Sequence, residues 1–417
     1  MSKFIITGQA ELAGEIRVQG SKNAMFPVLA AALLTEEECK FTNVPQILDR
    51  EVFCALIEKL GARVKISDHT VVICAKDLKN HELDPSLASK LRGSIVLLGA
   101  LLGRLGKAKM AFPGGDIIGK RPVNSHLRAF EKLGAETSTN GAIEINASQL
   151  KGNKIILEES SVTATENAVL ASVLAQGRSI IKLAAMEPHV QQLCEFLNSM
   201  GAKISGIGTT TLEIEGVKKL HGAEVALIPD SNEAASFITL AAATKSQIKI
   251  TDLNPDYLDD FLLKLEAMNV QMKIGKDFVQ VYKPDADYQA TKIQCGLYPK
   301  MASDDMPPMA VLATQAQGES LIYEWLYENR LGYVEQLIRM GANAQILDPH
   351  RVKITGPTPL KSAKIESLDI RMGMTLVIAA LVAEGISEID GIDHVDRGYE
   401  KLEERLNKLG ADIKRIA

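Results

Sequence analysis

The residues best suited to chemistry lie in one short stretch, FPGGDIIGKRPVNSHL, at positions 112–127. Two glycines let the backbone approach a ligand closely, and Asp116 follows them directly. Lys120 and Arg121 add positive charge just before Pro122, which is well placed to open a helix. A cationic loop that leads into a helix N-terminus is suited to binding an anion. The alternative is a surface turn with solvated Lys and Arg side chains.

Two further polar stretches each precede an apolar helical run. GSKNA occupies positions 20–24, and IPDSNEAA occupies positions 228–235. Lys22 and Asn23 would add a cation and an amide to the positive end of a helix dipole, which favours an anionic ligand. The alternative is that Asn23 is an ordinary N-cap and Lys22 a solvated side chain. We expect the chain to cross between domains at these two stretches.

The elements that must position these residues follow a repeat. Six times a helical pattern ends in Leu/Met-Gly-Ala or a close variant and runs into a short alternating segment typical of a strand. Gly, or once Asn, suits a helix C-terminus at which the chain turns left-handed. These markers are 67 to 73 residues apart, and they are Gly61, Gly134, Gly201, Asn269, Gly341 and Gly410. The period predicts six copies of one α/β unit.

Each unit also contains a helical stretch that is apolar on nearly every side, as is typical of a helix in a protein interior. These stretches begin at Ala24, Ile95, Asn167, Ala234, Pro307 and Met374. Each unit would then contribute one buried helix and one amphipathic covering helix. Because three units could pack their buried helices together beneath a layer of sheet, six units predict two similar domains with a cleft between them.

Composition narrows the class of protein. At 417 residues and 46% hydrophobic content, the chain is long enough for two or three domains with full cores. The net charge of -5 argues against a dedicated nucleic-acid binder, and no uninterrupted apolar run reaches the length of a membrane span. The first residues lack the apolar core of a secretory signal. Five scattered cysteines without a CxxC pair indicate reduced, mostly buried thiols in the cytoplasm and no metal site.

Seven motifs, in order and at matching spacing, give the chain a specific resemblance to the enolpyruvyl transferases, in the branch that acts on UDP-N-acetylglucosamine. They are GSKNAMFPVLAAALL, PGGDIIGKRP, SVTATENAVLA, EPHVQQLCEFLNSMGAKISG, IPDSNEAASF, LYENRLGYVEQLIRMGA and HVDRGYEKLEERLNKLGA. The resemblance runs from about Lys3 to Arg415. It implies an α/β fold of two inside-out domains, each with three repeated units around buried helices, which agrees with the count of six units.

On this basis we expect one discontinuous domain from residues 1–21 and 230–417, and a second domain from residues 22–229. The first would carry Asp304, Arg371 and Arg397, and the second would carry Lys22 and the Asp116 loop. The resemblance places the active site in the cleft between the two domains.

The activity that the resemblance implies is transfer of the enolpyruvyl group of phosphoenolpyruvate to the 3-hydroxyl of UDP-N-acetylglucosamine, with release of phosphate. This is the first committed step of peptidoglycan precursor synthesis, and it takes place in the cytoplasm. The expected partners are these two small molecules, without a metal, an organic cofactor, nucleic acid or a membrane. The sequence leaves the oligomeric state open.

Two anionic substrates require several cations, and the matching positions supply them. By resemblance, the ligands of phosphoenolpyruvate are Lys22, Asn23, Arg121 and Arg397. Arg can hold a carboxylate or phosphate through two parallel N–H bonds. The expected ligands of the sugar nucleotide are Arg92, Arg121, Pro122, Val123, Ser125, His126, Ser161, Val162, Thr163, Asp304 and Arg330, and further cleft residues are Glu187, Asp230 and Arg371.

The reaction also needs proton transfers in both directions. The resemblance implies a catalytic set of Lys22, Asp116, Asp304 and Arg397, with Asp304 as the base that takes the sugar hydroxyl proton. Asp305 is adjacent and remains the alternative base. A third interpretation is that these acids only cap the apolar helix that follows.

Asp116 is a notable departure, because most family members carry Cys at this loop position. That Cys forms a thioether with the epoxide antibiotic fosfomycin. A carboxylate can still donate a proton if burial raises its pKa, and it cannot form the thioether. We therefore predict an active enzyme that resists fosfomycin.

Other features leave alternatives open. Ser231 replaces an Arg that is frequent in the family, and the segment at positions 296–308 is diverged, which puts acceptor detail in question. His126 is as well explained as a satisfied helix histidine, and Ser161–Thr163 as caps. The competing functions are enolpyruvyl transfer to another acceptor such as shikimate 3-phosphate, and a non-catalytic paralogue that binds sugar nucleotide.

Overall fold

A computed structural model describes residues 2–115 and 118–416 of the chain. They form two compact units: the first unit contains residues 2–19, 118–120 and 229–416, and the second unit contains residues 20–115 and 121–228. The chain changes unit between Gln19 and Gly20 and again between Ile228 and Pro229. The sequence placed these changes one or two residues later, and it assigned positions 118–120 to the other domain. None of the helices described reaches the length and apolar character that crossing a membrane would take.

Within the described residues the chain forms fourteen α-helices. Their bounds are α1 Lys22–Ala31, α2 Leu48–Lys59, α3 Pro85–Ala88, α4 Leu97–Leu105, α5 Asn124–Lys132, α6 Val162–Ser172, α7 Pro188–Ser199, α8 Ser231–Ala243, α9 Asp259–Ala267, α10 Met306–Thr314, α11 Gly332–Arg339, α12 Ile370–Val382, α13 Asp393–Asp396 and α14 Leu402–Lys408. Short 3-10 turns occupy Ala32–Leu34, Arg92–Val96, Pro255–Leu258 and Ser303–Asp305.

The same residues form twenty-three strands in six sheets. Their bounds are β1 Lys3–Thr7, β2 Ala13–Arg17, β3 Glu38–Thr42, β4 Arg63–Ser67, β5 Thr70–Cys74, β6 Lys107–Met110, β7 Glu136–Ser138, β8 Ile143–Asn146, β9 Lys154–Ile156, β10 Arg178–Lys182, β11 Lys203–Ser205, β12 Thr211–Glu215, β13 Glu224–Ala226, β14 Gln247–Thr251, β15 Met272–Ile274, β16 Phe278–Val281, β17 Lys292–Gln294, β18 Gly318–Tyr323, β19 Asn343–Asp348, β20 Arg351–Gly356, β21 Lys364–Glu366, β22 Ile386–Asp390 and β23 Asp412–Ile416.

The six sheets repeat one pattern, and three of them belong to each unit. A strand leads through a covering helix into an antiparallel hairpin, as in β3–α2–β4–β5 and β18–α11–β19–β20. In the sixth copy the N-terminal strand β1 completes the sheet that β22 and β23 begin. Five sheets gain a parallel edge strand, with β13 on β3, β9 on β10, β2 on β14, β17 on β18 and β21 on β22.

The repeat markers have the conformation that the sequence predicts for them. All six end a covering helix with positive φ, from 66° at Asn269 to 105° at Gly410. The left-handed turn lets the chain reverse directly into the next strand, and Gly adopts it without a Cβ clash. The predicted count of six α/β units and the fold class are therefore confirmed.

Each unit has its own core, formed by three helices that are buried on nearly all sides. These helices are α1, α4 and α6 in the second unit, and α8, α10 and α12 in the first. In α12, for example, every residue from Ile370 to Leu381 is buried. The sheets and covering helices surround these helices, as the apolar pattern predicted.

Two local predictions were wrong. Pro122 does not open a helix: α5 begins at Asn124, and Val123 before it has non-helical backbone angles. The Arg121 carbonyl instead accepts a hydrogen bond from Arg92 Nη2 at 2.5 Å, which holds this stretch outside the helix. Asn23 is not the N-cap of α1 either, because the Ser21 hydroxyl accepts the Ala24 N–H there. All five cysteines are free, and four of them are buried, as predicted.

Candidate active site

A carboxylate held by two buried arginines dominates the first unit. Asp304 lies in the 3-10 turn before α10, Arg371 is the second residue of α12, and Arg330 precedes α11. Arg330 Nη2 donates to one oxygen of Asp304 at 2.6 Å, and Arg371 Nε donates to the other at 2.8 Å. Both arginine side chains are 5% exposed, whereas that of Asp304 is 27% exposed. The structure thus brings together three predicted site residues that lie up to 67 positions apart in the sequence.

Both arginines stay charged in this setting. Burial opposes their charge, but neighbouring groups outweigh it, chiefly Asp304 for Arg330, and Tyr399 and Asp304 for Arg371. The pKa of each guanidinium therefore lies above its usual value. Asp304 accepts one of these two bonds on each oxygen. Arg330 Nε and Arg371 Nη2 are buried without a hydrogen-bond partner among the described residues. These two groups are the donors that the cluster could offer to an anion.

Tyr399 and Ser236 extend this cluster inward. Arg371 Nη1 donates to the Tyr399 hydroxyl at 3.1 Å, and that hydroxyl lies 2.9 Å from Ser236 Oγ. Tyr399 is 1% exposed. Neither residue was predicted, although Tyr399 stands in the VDRGY motif, two positions after Arg397. Their contacts hold the Arg371 guanidinium in one orientation against Asp304.

Asp305 differs sharply from its neighbour. It is 3% exposed, and its Oδ1 accepts from Asn232 Nδ2 at 2.8 Å. Burial raises the pKa of the Asp305 carboxyl to about 7, against the opposing effect of the Asn232 hydrogen bond. It precedes α10 without making a capping bond, so the capping interpretation of this acid is wrong. A carboxyl that changes charge near neutral pH is chemically able to exchange a proton.

The other predicted residues of the first unit occupy helix ends. Asp230 is the N-cap of α8, where its carboxylate accepts the Glu233 N–H at 2.9 Å, and it is buried. Arg397 directly follows α13 and is partly exposed.

In the second unit, Lys22 and Asn23 are the first two residues of the buried helix α1. Lys22 Nζ lies 3.8 Å from Asp49 Oδ2 and 5.4 Å from the centre of the Phe26 ring. These contacts hold a largely buried ammonium group at a positive helix end. Lys22 thus brings a cation to this helix end, and the Asp49 carboxylate balances part of its charge.

The glycine-rich loop packs closely on the turn that carries Arg92. A Cβ on Gly114 would lie 1.7 Å from the Ser89 carbonyl oxygen, and one on Gly115 would lie 3.0 Å from Arg92. Only glycine allows this approach, and Gly115 also has φ of 105°. Asp116, which follows directly, lies outside the described residues.

His126 forms the centre of a buried polar cluster on α5 and α6. Asn167 Nδ2 donates to its Nδ1 at 2.8 Å, and its Nε2 lies 3.2 Å from Thr163 Oγ1. The Asn167 amide is itself fixed, since its oxygen accepts the Gly99 N–H and its nitrogen also donates to the Ile95 carbonyl. Nδ1 is therefore the acceptor, and Nε2 carries the proton that it donates to Thr163.

The same cluster keeps His126 neutral. It is 2% exposed, and burial, with a smaller effect of the Arg92 charge, lowers its pKa to about 3. His126 is thus a satisfied histidine that orients Thr163. Ser125 beside it is also buried.

The remaining predicted residues of the second unit surround the start of α6. Ser161 caps this helix by accepting the Ala164 N–H at 3.4 Å, so the capping interpretation is confirmed for Ser161. Val162 and Thr163 are its first two residues, and all three are partly exposed. Glu187 begins α7. Burial, reinforced by Glu187, raises the pKa of the fully buried Glu166 on α6 well above its usual value.

Comparison with known proteins covers the whole chain. The family model described as EPSP synthase (3-phosphoshikimate 1-carboxyvinyltransferase) matches residues 6–406. UDP-N-acetylglucosamine 1-carboxyvinyltransferase of Koribacter versatilis is 42% identical, over 100% of this chain and 97% of the relative. The protein of the same name from Treponema denticola is also 42% identical, over 99% of each chain.

Solved structures agree with this relationship. The enolpyruvyl transferase NikO from Streptomyces tendae is 25% identical and superposes with a TM-score of 0.89 over 99% of this chain and 98% of its own. EPSP synthase from Acinetobacter baumannii, at 19% identity and a TM-score of 0.77, shares the fold over the full length of both chains. The chain belongs to the enolpyruvyl transferase family and, within it, to the UDP-N-acetylglucosamine 1-carboxyvinyltransferases.

The raised pKa of Asp305 predicts a specific pH dependence of stability. Between the usual carboxyl pKa and pH 7 the folded state holds a proton that the unfolded state releases, so stability falls as pH rises across this range. Asp305→Asn keeps an acceptor for Asn232 and removes the titration. Its stability relative to the original chain should rise from pH 4 to pH 8 by up to about 4 kcal/mol, measured by urea denaturation.

Asp84→Asn supplies a control of opposite sign. Asp84 caps α3, and its hydrogen bonds with Ser86 lower its pKa, so this variant should lose relative stability as pH rises. A pH-independent difference between Asp305→Asn and the original chain would contradict the protonation assigned to Asp305.

The lowered pKa of His126 predicts a neutral ring across the physiological range. In nitrogen-15 NMR spectra its two ring nitrogens should keep the shifts of the Nε2–H tautomer from pH 5 to pH 8. The His126→Asn variant lacks these ring signals, so comparison of the two spectra assigns them to His126. Movement toward imidazolium shifts above pH 5 would contradict the hydrogen-bond directions derived for Asn167 and Thr163.

Proposed function

We propose that this chain transfers the enolpyruvyl group of phosphoenolpyruvate to the 3-hydroxyl of UDP-N-acetylglucosamine and releases phosphate. The observation that carries the proposal is 42% identity, over essentially the whole of both chains, to proteins named for this reaction. Both substrates are cytoplasmic metabolites, so the proposed place of the reaction is the cytoplasm. The product opens the route to peptidoglycan precursors.

The reaction proceeds by addition and then elimination. The sugar oxygen bonds to C2 of phosphoenolpyruvate and loses its proton to a base, while C3 gains a proton from an acid. The tetrahedral intermediate then returns a proton from C3, the bond from C2 to the phosphate oxygen breaks, and phosphate leaves. Each half of the reaction thus needs one proton acceptor and one proton donor.

Asp304 is the proposed base. Arg330 and Arg371 each form an ion pair with it, and its carboxylate is the more exposed of the adjacent pair. A substrate hydroxyl that reaches the Asp304 carboxylate would lie beside two fixed positive charges, which favour the developing alkoxide. Asp305, whose pKa is raised to about 7 by burial, is the alternative acceptor. Asp116 is the proposed donor to C3.

The anionic groups of the substrates are assigned to the cations. Lys22, Asn23, Arg121 and Arg397 are the proposed ligands of phosphoenolpyruvate. Arg92 already donates to the Arg121 carbonyl, so both side chains are proposed to face the same sugar nucleotide. Thr163, held by neutral His126, supplies a hydroxyl beside the N-terminus of α6, a position suited to phosphate. The remaining proposed ligands of the sugar nucleotide are Pro122, Val123, Ser125, Ser161, Val162 and Arg330.

Phosphate release in the presence of each acceptor tests the proposed function. Release from phosphoenolpyruvate should require UDP-N-acetylglucosamine and should not occur with shikimate 3-phosphate. Asp304→Asn should lower kcat by about 10²- to 10⁴-fold, the usual contribution of a general base. Asp305→Asn is the matched control and should lower kcat much less.

Other results would support the competing functions. Release only with shikimate 3-phosphate would indicate the sister activity. Binding of UDP-N-acetylglucosamine without any release would indicate a non-catalytic paralogue. A larger loss in Asp305→Asn than in Asp304→Asn would move the base to Asp305.

Fosfomycin sensitivity tests the role assigned to Asp116. Preincubation with the drug should leave the rate of the original chain unchanged, because a carboxylate lacks the thiolate that forms the thioether. Asp116→Cys should retain activity and become inactivated over time, with a mass increase of one drug molecule. Covalent inactivation of the original chain by fosfomycin would contradict the prediction.

A further inference from the structure

The backbone that follows Arg397 is held by one glutamine side chain from the other end of the sequence. Gln19 Nε2 donates to the Gly398 carbonyl at 2.9 Å, and Gln19 Oε1 accepts the Glu400 N–H at 3.1 Å. The amide thus pairs with residues on both sides of Tyr399, in the way a neighbouring strand would. Gln19 is 8% exposed, so solvent hardly competes for these bonds.

The backbone of Gln19 is itself held on both sides. Its N–H donates to Glu233 Oε2 at 2.8 Å, and its carbonyl accepts the Asp230 N–H at 2.9 Å. Every polar group of Gln19 therefore has a partner. These partners belong to the first turn of α8 and to residues 398–400, so Gln19 ties these two segments together.

A buried ion pair supports the same arrangement. Glu233 accepts from Arg405 Nη1 at 2.6 Å and from Nη2 at 3.1 Å, and its side chain is 1% exposed. Arg405 Nη1 also lies 3.3 Å from the Glu400 carbonyl oxygen, and Nη2 donates to the Arg17 carbonyl at 2.6 Å. A bidentate Arg–carboxylate pair has a restricted geometry. Because the same guanidinium also contacts the Glu400 and Arg17 carbonyls, it fixes the position of Glu400 relative to the chain just before Gln19.

The residue between the two Gln19 contacts is held as well. The Tyr399 hydroxyl meets Arg371 and Ser236, as described above. Three consecutive residues, 398–400, are thereby fixed by partners from four separate parts of the chain. Arg397 directly precedes them, so the backbone that carries its side chain is anchored on its C-terminal side.

We propose that Gln19 is a positioning residue for Arg397: its amide fixes the backbone at 398–400 and so aims the Arg397 guanidinium at the phosphate or carboxylate of phosphoenolpyruvate. This inference rests on the proposed function for the identity of the ligand. Gln19 does not touch the substrate, and it acts through the peptide groups that it holds. Loss of the amide should therefore weaken the binding of one substrate more than that of the other.

Gln19→Met tests the proposal, because it keeps the length of the side chain and removes both hydrogen bonds. The KM for phosphoenolpyruvate should rise at least tenfold, while kcat and the KM for UDP-N-acetylglucosamine change less than threefold. In the ligand-free protein, the amides of residues 397–401 should exchange with deuterium at least tenfold faster. Gln19→Asn has a shorter amide that cannot reach both partners, so it should also raise the KM for phosphoenolpyruvate and the exchange rate at 397–401. This variant replaces Gln19→Met in the test if Gln19→Met does not fold.

Asn198→Leu is the matched control. The Asn198 amide likewise bridges a backbone carbonyl and N–H, both of Ile204, at 2.9 and 2.8 Å, in the second unit, and neither residue belongs to the predicted site. Asn198→Leu should lower the midpoint temperature of thermal unfolding without a selective change in the KM for phosphoenolpyruvate. An unchanged KM in both Gln19 variants, or an equal rise in Asn198→Leu, would overturn the proposal.

Hydrogen exchange separates this proposal from the proposed function. If the original chain releases no phosphate with UDP-N-acetylglucosamine, the proposed function fails, whatever the Gln19 variants do. If it does release phosphate and exchange at 397–401 is the same in Gln19→Met as in the original chain, the positioning role fails while the function stands.

Discussion

The burial of six helices on all sides is the constraint from which the rest of this structure follows. A helix without an exposed face can present polar groups only at its ends, and its N-terminus carries a positive partial charge. All six buried helices have a residue of the predicted site at or near their N-terminus. In chain order these residues are Lys22, Arg92, Thr163, Asp230, Asp304 and Arg371. These residues are spread over some 350 positions of sequence, yet each one lies at or near the N-terminal end of a buried helix.

Charge burial decides how these ends behave. A lone charge in a protein interior is costly, so each buried ion must be neutralised or paired. Asp304 is paired with two arginines, whereas adjacent Asp305 accepts from an amide, and burial raises the pKa of its carboxyl to about 7. Two consecutive residues of one type thus acquire opposite chemical characters. The difference comes from the elements that each one faces.

Hydrogen-bonded side chains then transmit position from the cores to the predicted ligands. His126 directs Thr163, Tyr399 directs Arg371, and Gln19 holds the segment after Arg397. Each supporting residue is buried and fully specified by its own partners, so the group that it holds has little freedom left. Such support is what a site needs if its geometry is to be ready before the substrates arrive.

The sequence by itself determined the architecture, because periodicity is a local property. Helix markers about 70 residues apart and six all-apolar runs predict six α/β units around buried helices, and the positive φ at every marker bears this out. Motif matches also identified the family and named Asp304, Arg330 and Arg371 individually. Local rules failed at Pro122 and Asn23, where a distant Arg92 and the nearby Ser21 hydroxyl set the helix starts instead.

Only the tertiary structure decided which charges are paired and which side chains fix the position of the predicted ligands. Gln19 lies 379 positions from Gly398, and Arg371 lies 67 from Asp304. Neither separation leaves a periodic trace in the sequence. The pKa of a buried carboxyl likewise depends on solvent exclusion and on neighbours from other elements, as Asp305 and Asn232 show. Protonation states and side-chain support arise from contacts between distant segments, and they exist only once the helices have packed.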